Sequence, residues 1–241
     1  MSAATVPPER DRGLVWIGLT PLLPLLGLLP GGRFLLPLMA PMVLWPAFSR
    51  AVRAGETQRA FAAAMVWTLL LSASVIVFTQ AAPAEAGRSI LNGEPYRHEM
   101  FAWIETGEGK ENRPSEFLPE HALHLVAFAV LTVATGGYLG LALGAALLGY
   151  MSYFVGSFAA SASAPLAGSL VAWVPWSVVR VLAFVALGSV LARPLLTRRW
   201  SAPDRRERRW IAIALAGIAV DLLLKSTLAP AYGRFLRTWI D

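Results

Sequence analysis

Apolar runs long enough to cross a lipid bilayer recur along almost the whole chain, and no other feature limits the fold so strongly. A hydrocarbon core of about 30 Å takes roughly 20 apolar residues in helical form. Inside it every backbone polar group must be satisfied within the protein. With 56% of its 241 residues hydrophobic and 15% charged, the chain leaves no room for a sizeable soluble domain. It reads as one all-α integral membrane domain over 1–241, a polytopic transmembrane helical bundle.

The runs fall at 14–30, 33–48, 59–79, 119–137, 138–160, 168–193 and 210–229, which predicts seven spans. The first two carry Pro21, Pro24, Pro37, Pro41 and Pro46, and proline removes a backbone donor. They therefore form kinked helices, or a re-entrant hairpin or one broken helix that lowers the count to six. Gly136-Gly137 interrupts a run too long for one helix and predicts a tight hairpin. The charged stretch Glu9-Arg10-Asp11-Arg12 precedes an apolar run with no small-residue cleavage motif, so the first span is read as the targeting signal. Gly136, Gly140 and Gly144 form a small-residue stripe, read as packing inside one bundle in preference to a dimer interface.

Arginine sets the orientation. Arg50, Arg53 and Arg59 cluster in one short loop, and Arg193, Arg198, Arg199, Arg205, Arg206, Arg208 and Arg209 in another. The positive-inside rule makes both cytoplasmic. The N-terminus is then inside, and the C-terminus and the loop 81–118 are exoplasmic, a topology that suits a bacterial cytoplasmic membrane; Arg234 and Arg237 run mildly against it. The net charge of +6 thus reflects orientation and contact with membrane lipid, and nucleic-acid binding is not expected. The absence of cysteine rules out disulfides, thiolate metal sites and a cysteine nucleophile. No phosphate-binding loop, dinucleotide fingerprint or Gly-x-Ser-x-Gly elbow occurs. Oligomeric state and protein partners are not readable.

All three histidines, His98, His121 and His124, fall in or beside the long polar loop, which also concentrates glutamate. Glu120-His121-Ala122-Leu123-His124 opens the fourth span, where helical spacing brings His121 to His124 and Glu120 to His124. The segment from Glu94 to Glu105 reads as a short interfacial amphipathic helix, with Tyr96, Met100 and Trp103 on one face and His98 with carboxylates on the other. Imidazole and carboxylate together suit a divalent transition metal, zinc above all. The candidate ligands are His98, His121, His124 and Glu120, with Glu120 or Glu116 as general base. The order Glu-His-x-x-His is not the His-Glu-x-x-His of zinc metalloproteases, and the alternative is that these polar groups solvate a helix start near its positive dipole end.

Arg180 in the sixth span, with Asp221 and Lys225 in the seventh, are charges inside the membrane. Each costs at least about 2.5 kcal/mol at a helix centre unless paired. Asp221 pairs with Lys225 along its helix or with Arg180 across helices, fixing register; the functional alternative has Arg180 and Lys225 stabilising negative charge beneath the histidines. The leading expectation is a metal-dependent hydrolase or transferase acting on a lipid-linked or membrane-bound substrate. The alternatives are a transporter using Arg180, Asp221 and Lys225, and a non-catalytic scaffold whose loop docks a partner.

Overall fold

The computed structural model describes residues 12–240, in which all regular structure is helical. Glu9, Arg10 and Asp11 lie outside the described residues. Among those described, six helices are long and apolar enough to cross a membrane, as expected of an integral membrane protein.

The expected span 14–30 is not a continuous α-helix. Helix α1 (Arg12–Ile17) gives way to a 3₁₀ segment over Thr20–Leu28. Pro21 and Pro24 supply no amide hydrogen there. Gly31, with φ of +71°, turns the chain into α2 (Gly32–Arg53). The 3₁₀ segment packs on α2 and on α3 (Thr57–Ala81). Despite Pro37, Pro41 and Pro46, α2 stays helical throughout. Side-chain donors from other helices reach its carbonyls: Trp67 Nε1 bonds Ala40 O at 3.2 Å and the Tyr138 hydroxyl bonds Leu38 O at 2.9 Å. These bonds tie α2 to its neighbours; the carbonyls that the three prolines leave without an amide partner are those of Arg33, Pro37 and Met42.

The long polar loop is mostly helical. It holds α4 (Pro83–Ser89), α5 (Gly93–Thr106) and a 3₁₀ turn over Lys110–Asn112, before α6 (Pro114–Thr135). Gly136 and Gly137, with φ of +62° and +103°, form the predicted hairpin into α7 (Tyr138–Ser161). Only glycine takes such consecutive positive φ values without strain. Helix α7 is the most buried span and packs against α2, α3, α5 and α6.

The expected span 168–193 divides, because Pro175 opens a new helix. Helix α8 (Pro165–Val171) is separate, and α9 (Pro175–Leu191) runs on through α10 (Arg193–Thr197) as one span. The last helix, α11 (Arg205–Arg237), is longer than its apolar run. It begins at a capping box in which Glu207 N donates to Asp204 Oδ1 at 2.8 Å and Asp204 N to Glu207 Oε2 at 2.9 Å. The order of the six long helices puts the 54–56, 136–137 and 198–204 turns, with most of the arginines, at one end. The 82–113 loop lies at the other.

Of the glycine stripe, Gly140 lies flush against Thr132 of α6, and Gly136 against Leu196. Those contacts are internal to the bundle.

Candidate functional site

The site begins with a loop that lowers a carboxylate into the bundle. Gly107, with φ of +74°, ends α5, and the chain doubles back under the Trp103 indole, whose Nε1 donates to Asn112 Oδ1 at 2.9 Å. Trp103 is fully buried, with Gly233 of α11 against its ring. The 3₁₀ turn so anchored carries Glu111 to a position only 6% exposed. There Glu111 accepts from Lys225 Nζ at 2.8 Å and from Trp176 Nε1 at 3.1 Å. The Lys225 ammonium also stands 4.6 Å from the centre of the Phe117 ring, a cation–π contact. Arg180 meets Asp221 in a bidentate pair, Nε to Oδ2 at 3.0 Å and Nη2 to Oδ1 at 2.9 Å. The intramembrane charges are thus matched as Arg180–Asp221 and Lys225–Glu111.

These pairs border a polar cavity of about 170 Å³, lined by Glu99, Lys110, Glu111, Glu120, His121, His124, Arg180 and Lys225 with Tyr96 and Tyr150. Lys110 bridges the rim, 3.3 Å from Glu99 and 3.8 Å from Glu120. The Glu99 carboxylate, reinforced by Glu120, holds the Lys110 amine above its ordinary pKa despite partial burial. His121 Nδ1 lies 2.8 Å from Phe117 O. Facing a carbonyl, Nδ1 must carry the proton, which leaves Nε2 a bare acceptor. That Nε2 is buried and has no hydrogen-bond partner, an uncompensated group of the kind that costs about 1–3 kcal/mol until a donor reaches it.

A second cavity, about 60 Å³ and mostly apolar, lies deeper between α3, α6, α7 and α9. His124, Tyr150, Met151 and Arg180 line both cavities, so polar and apolar space meet at that ring of side chains.

Of the residues singled out by sequence, Glu120, His121, His124, Arg180 and Lys225 share the polar cavity. His98 does not. Its side chain is 73% exposed, and its Nε2 lies 3.7 Å from Glu94 and 3.4 Å from Arg97. Glu116 faces outward, paired with Arg113 at 3.1 Å. Among the described residues no group of three or more His, Asp or Glu is placed to hold a metal ion. The three imidazoles do not converge, since one turn of α5 aims Glu99 into the bundle and its neighbour His98 away from it. A zinc centre built on all three does not fit this arrangement. The expected Asp221–Lys225 pair gives way to Asp221–Arg180, the other pairing the spacing allowed.

Sequence reasoning missed Glu111 and Lys110, and with them the role of Trp176 as a donor to Glu111. One signal pointed to Glu111: two cations and one anion inside the spans leave a cation that must draw a carboxylate from elsewhere.

No family model, no curated protein and no solved structure matches this chain.

Proposed function

We propose that the chain is an integral membrane enzyme of hydrolase or transferase type. It performs general acid–base chemistry on a membrane-bound substrate in the polar cavity at the 82–113 end of the bundle. The observation that carries this reading is the convergence of His121, His124, Glu99 and Glu120 with the Arg180 guanidinium on one cavity inside an otherwise apolar bundle. Titratable groups gathered in a cleft are where proton transfer is performed. The arginine-rich turns at the opposite end favour an exoplasmic opening.

In this scheme His124, with Glu120 one turn before it, takes the proton of an attacking water or hydroxyl. Oxygen attacks the substrate, and the departing oxygen recovers a proton from the Lys110 ammonium or the protonated base. Arg180, whose bonds to Asp221 engage Nε and Nη2, offers Nη1 to developing negative charge. Lys225, Glu111 and Trp176 are positioning residues that close the loop over the chamber.

The test is turnover of a total membrane-lipid extract by the protein in proteoliposomes, read by mass spectrometry. His124→Gln and Glu120→Gln lower it about 100-fold or more, while His98→Gln leaves it unchanged. Turnover insensitive to both His124 and Glu120 overturns the reading. Gradient-driven flux lost in Asp221→Asn and kept in His124→Gln establishes a transporter instead.

A further inference from the structure

We infer that the two cavities form one binding site for a single-chain amphiphile with a neutral, hydroxyl-bearing head. The head sits in the polar cavity and the first methylenes of the chain enter the apolar one. This rests on the enzyme reading and names its substrate class.

The first ground is continuity. His124, Tyr150, Met151 and Arg180 line both spaces, so a ligand that fills both changes from polar to apolar at that ring. A cavity of roughly 150 Å³ takes a benzene ring. By that yardstick the polar space of about 170 Å³ takes a head of one six-membered ring, and the apolar space of about 60 Å³ takes a few carbons of chain.

The second ground is charge. Lys110, Arg180 and Lys225 are balanced on the cavity wall by Glu99, Glu111 and Glu120, and Asp221 stands bonded to Arg180. The balance is neutral to slightly negative, which disfavours a multiply charged anion such as a phosphate monoester. The open hydrogen-bonding positions ask for both donors and acceptors. His121 Nε2 and the carboxylates of Glu99 and Glu120 accept, while Arg180 Nη1 and Lys110 donate. Hydroxyl groups satisfy both kinds.

The third ground is Gly144. It lines the apolar cavity, and a Cβ added there meets nothing within 4 Å. The space beside α7 is therefore open at Gly144, and a longer side chain there takes up cavity volume.

The experiment titrates n-alkyl glucosides from methyl to octyl into the protein in nanodiscs, with empty nanodiscs subtracted. Wild-type Kd falls about fourfold per methylene over the first few carbons and then levels off. Gly144→Leu abolishes these increments and leaves methyl glucoside within twofold of wild type, and n-butyl phosphate binds at least tenfold more weakly than n-butyl glucoside. Val185→Leu, which narrows the same cavity from α9, reports the same loss if Gly144→Leu does not fold, as judged by gel filtration and thermal unfolding. The inference is overturned if chain length has no effect beyond partition into empty discs, if the filled variants keep the wild-type increments, or if the phosphate binds more tightly. His124-dependent turnover with no effect of Gly144→Leu or Val185→Leu on chain binding sinks this inference alone. Chain-dependent binding with no His124-dependent turnover sinks the enzyme reading alone.

Discussion

Lys225, two-thirds of the way along the last helix, is bonded at 2.8 Å to Glu111, a loop carboxylate 114 residues earlier in the chain. Both side chains are almost fully buried. Removing one partner of such a pair strands a charge and costs about 3–5 kcal/mol, whereas replacing both with apolar groups of similar volume is close to neutral. Lys225→Met and Glu111→Leu each lower thermal stability in detergent, and the double variant recovers most of the loss. Additive losses in the double variant would show that the two groups are not coupled.

The Arg180–Asp221 pair ties α9 to α11 by two hydrogen bonds. Planar, bidentate geometry is what lysine cannot reproduce. Arg180→Lys is therefore expected to cost about 1.5–3 kcal/mol through the weakened charged hydrogen bonds. Asp221→Asn, which leaves the guanidinium without its counter-charge, costs more than Arg180→Lys. Equal melting temperatures for wild type and Asp221→Asn would contradict this account of the pair.

Much of this was legible in the sequence. Length of apolar run gave the long helices, and two adjacent glycines gave the α6–α7 hairpin. The spacing of Glu120, His121 and His124 placed all three on one cavity. What failed had physical causes: Pro21 and Pro24 turn an apolar stretch into 3₁₀ structure, and Pro175 starts a helix inside a run that hydropathy treats as continuous. His98 and Glu99 are about 100° apart on α5. Turning the Tyr96, Met100 and Trp103 face to the bundle carries Glu99 inward and leaves His98 outside, so the helical period that grouped the aromatics also separated His98 from the other two histidines. Glu111 belongs to no helical period that would mark it, and it is buried because the Trp103–Asn112 bond draws its turn beneath the indole.

The glycine stripe separates into positions of opposite tolerance. A Cβ at Gly140 would run into Thr132 Oγ1, whereas one at Gly144 meets nothing within 4 Å. Overpacking of this kind costs about 1–3 kcal/mol. Gly140→Ala is expected to lower stability by that amount and Gly144→Ala to leave it unchanged or slightly raised. Thr132→Ala in the Gly140→Ala background removes the hydroxyl from the new methyl's path but leaves the Thr132 Cβ and Cα at 3.1 and 3.2 Å, so it recovers part of the loss, and no recovery at all would show that the hydroxyl is not the source of the strain.

Glu94 links α5 to α7 by accepting from the Tyr153 hydroxyl and from Arg97 Nε, the latter at 2.9 Å. Burial alone would raise its pKa, but the bonds from Tyr153 and Arg97 outweigh it and hold the carboxyl below its ordinary value. A carboxyl depressed in the folded state contributes stability above the unfolded pKa of about 4.3, and that contribution disappears as pH falls through the lower folded value. Wild type therefore loses thermal stability between about pH 5 and pH 3 more steeply than Glu94→Gln. Tyr153→Phe, which deletes one of the bonds, falls between them, because Arg97 still favours the ionised carboxylate. Parallel stability curves for wild type and Glu94→Gln across that window would mean that acid acts on this protein through other groups.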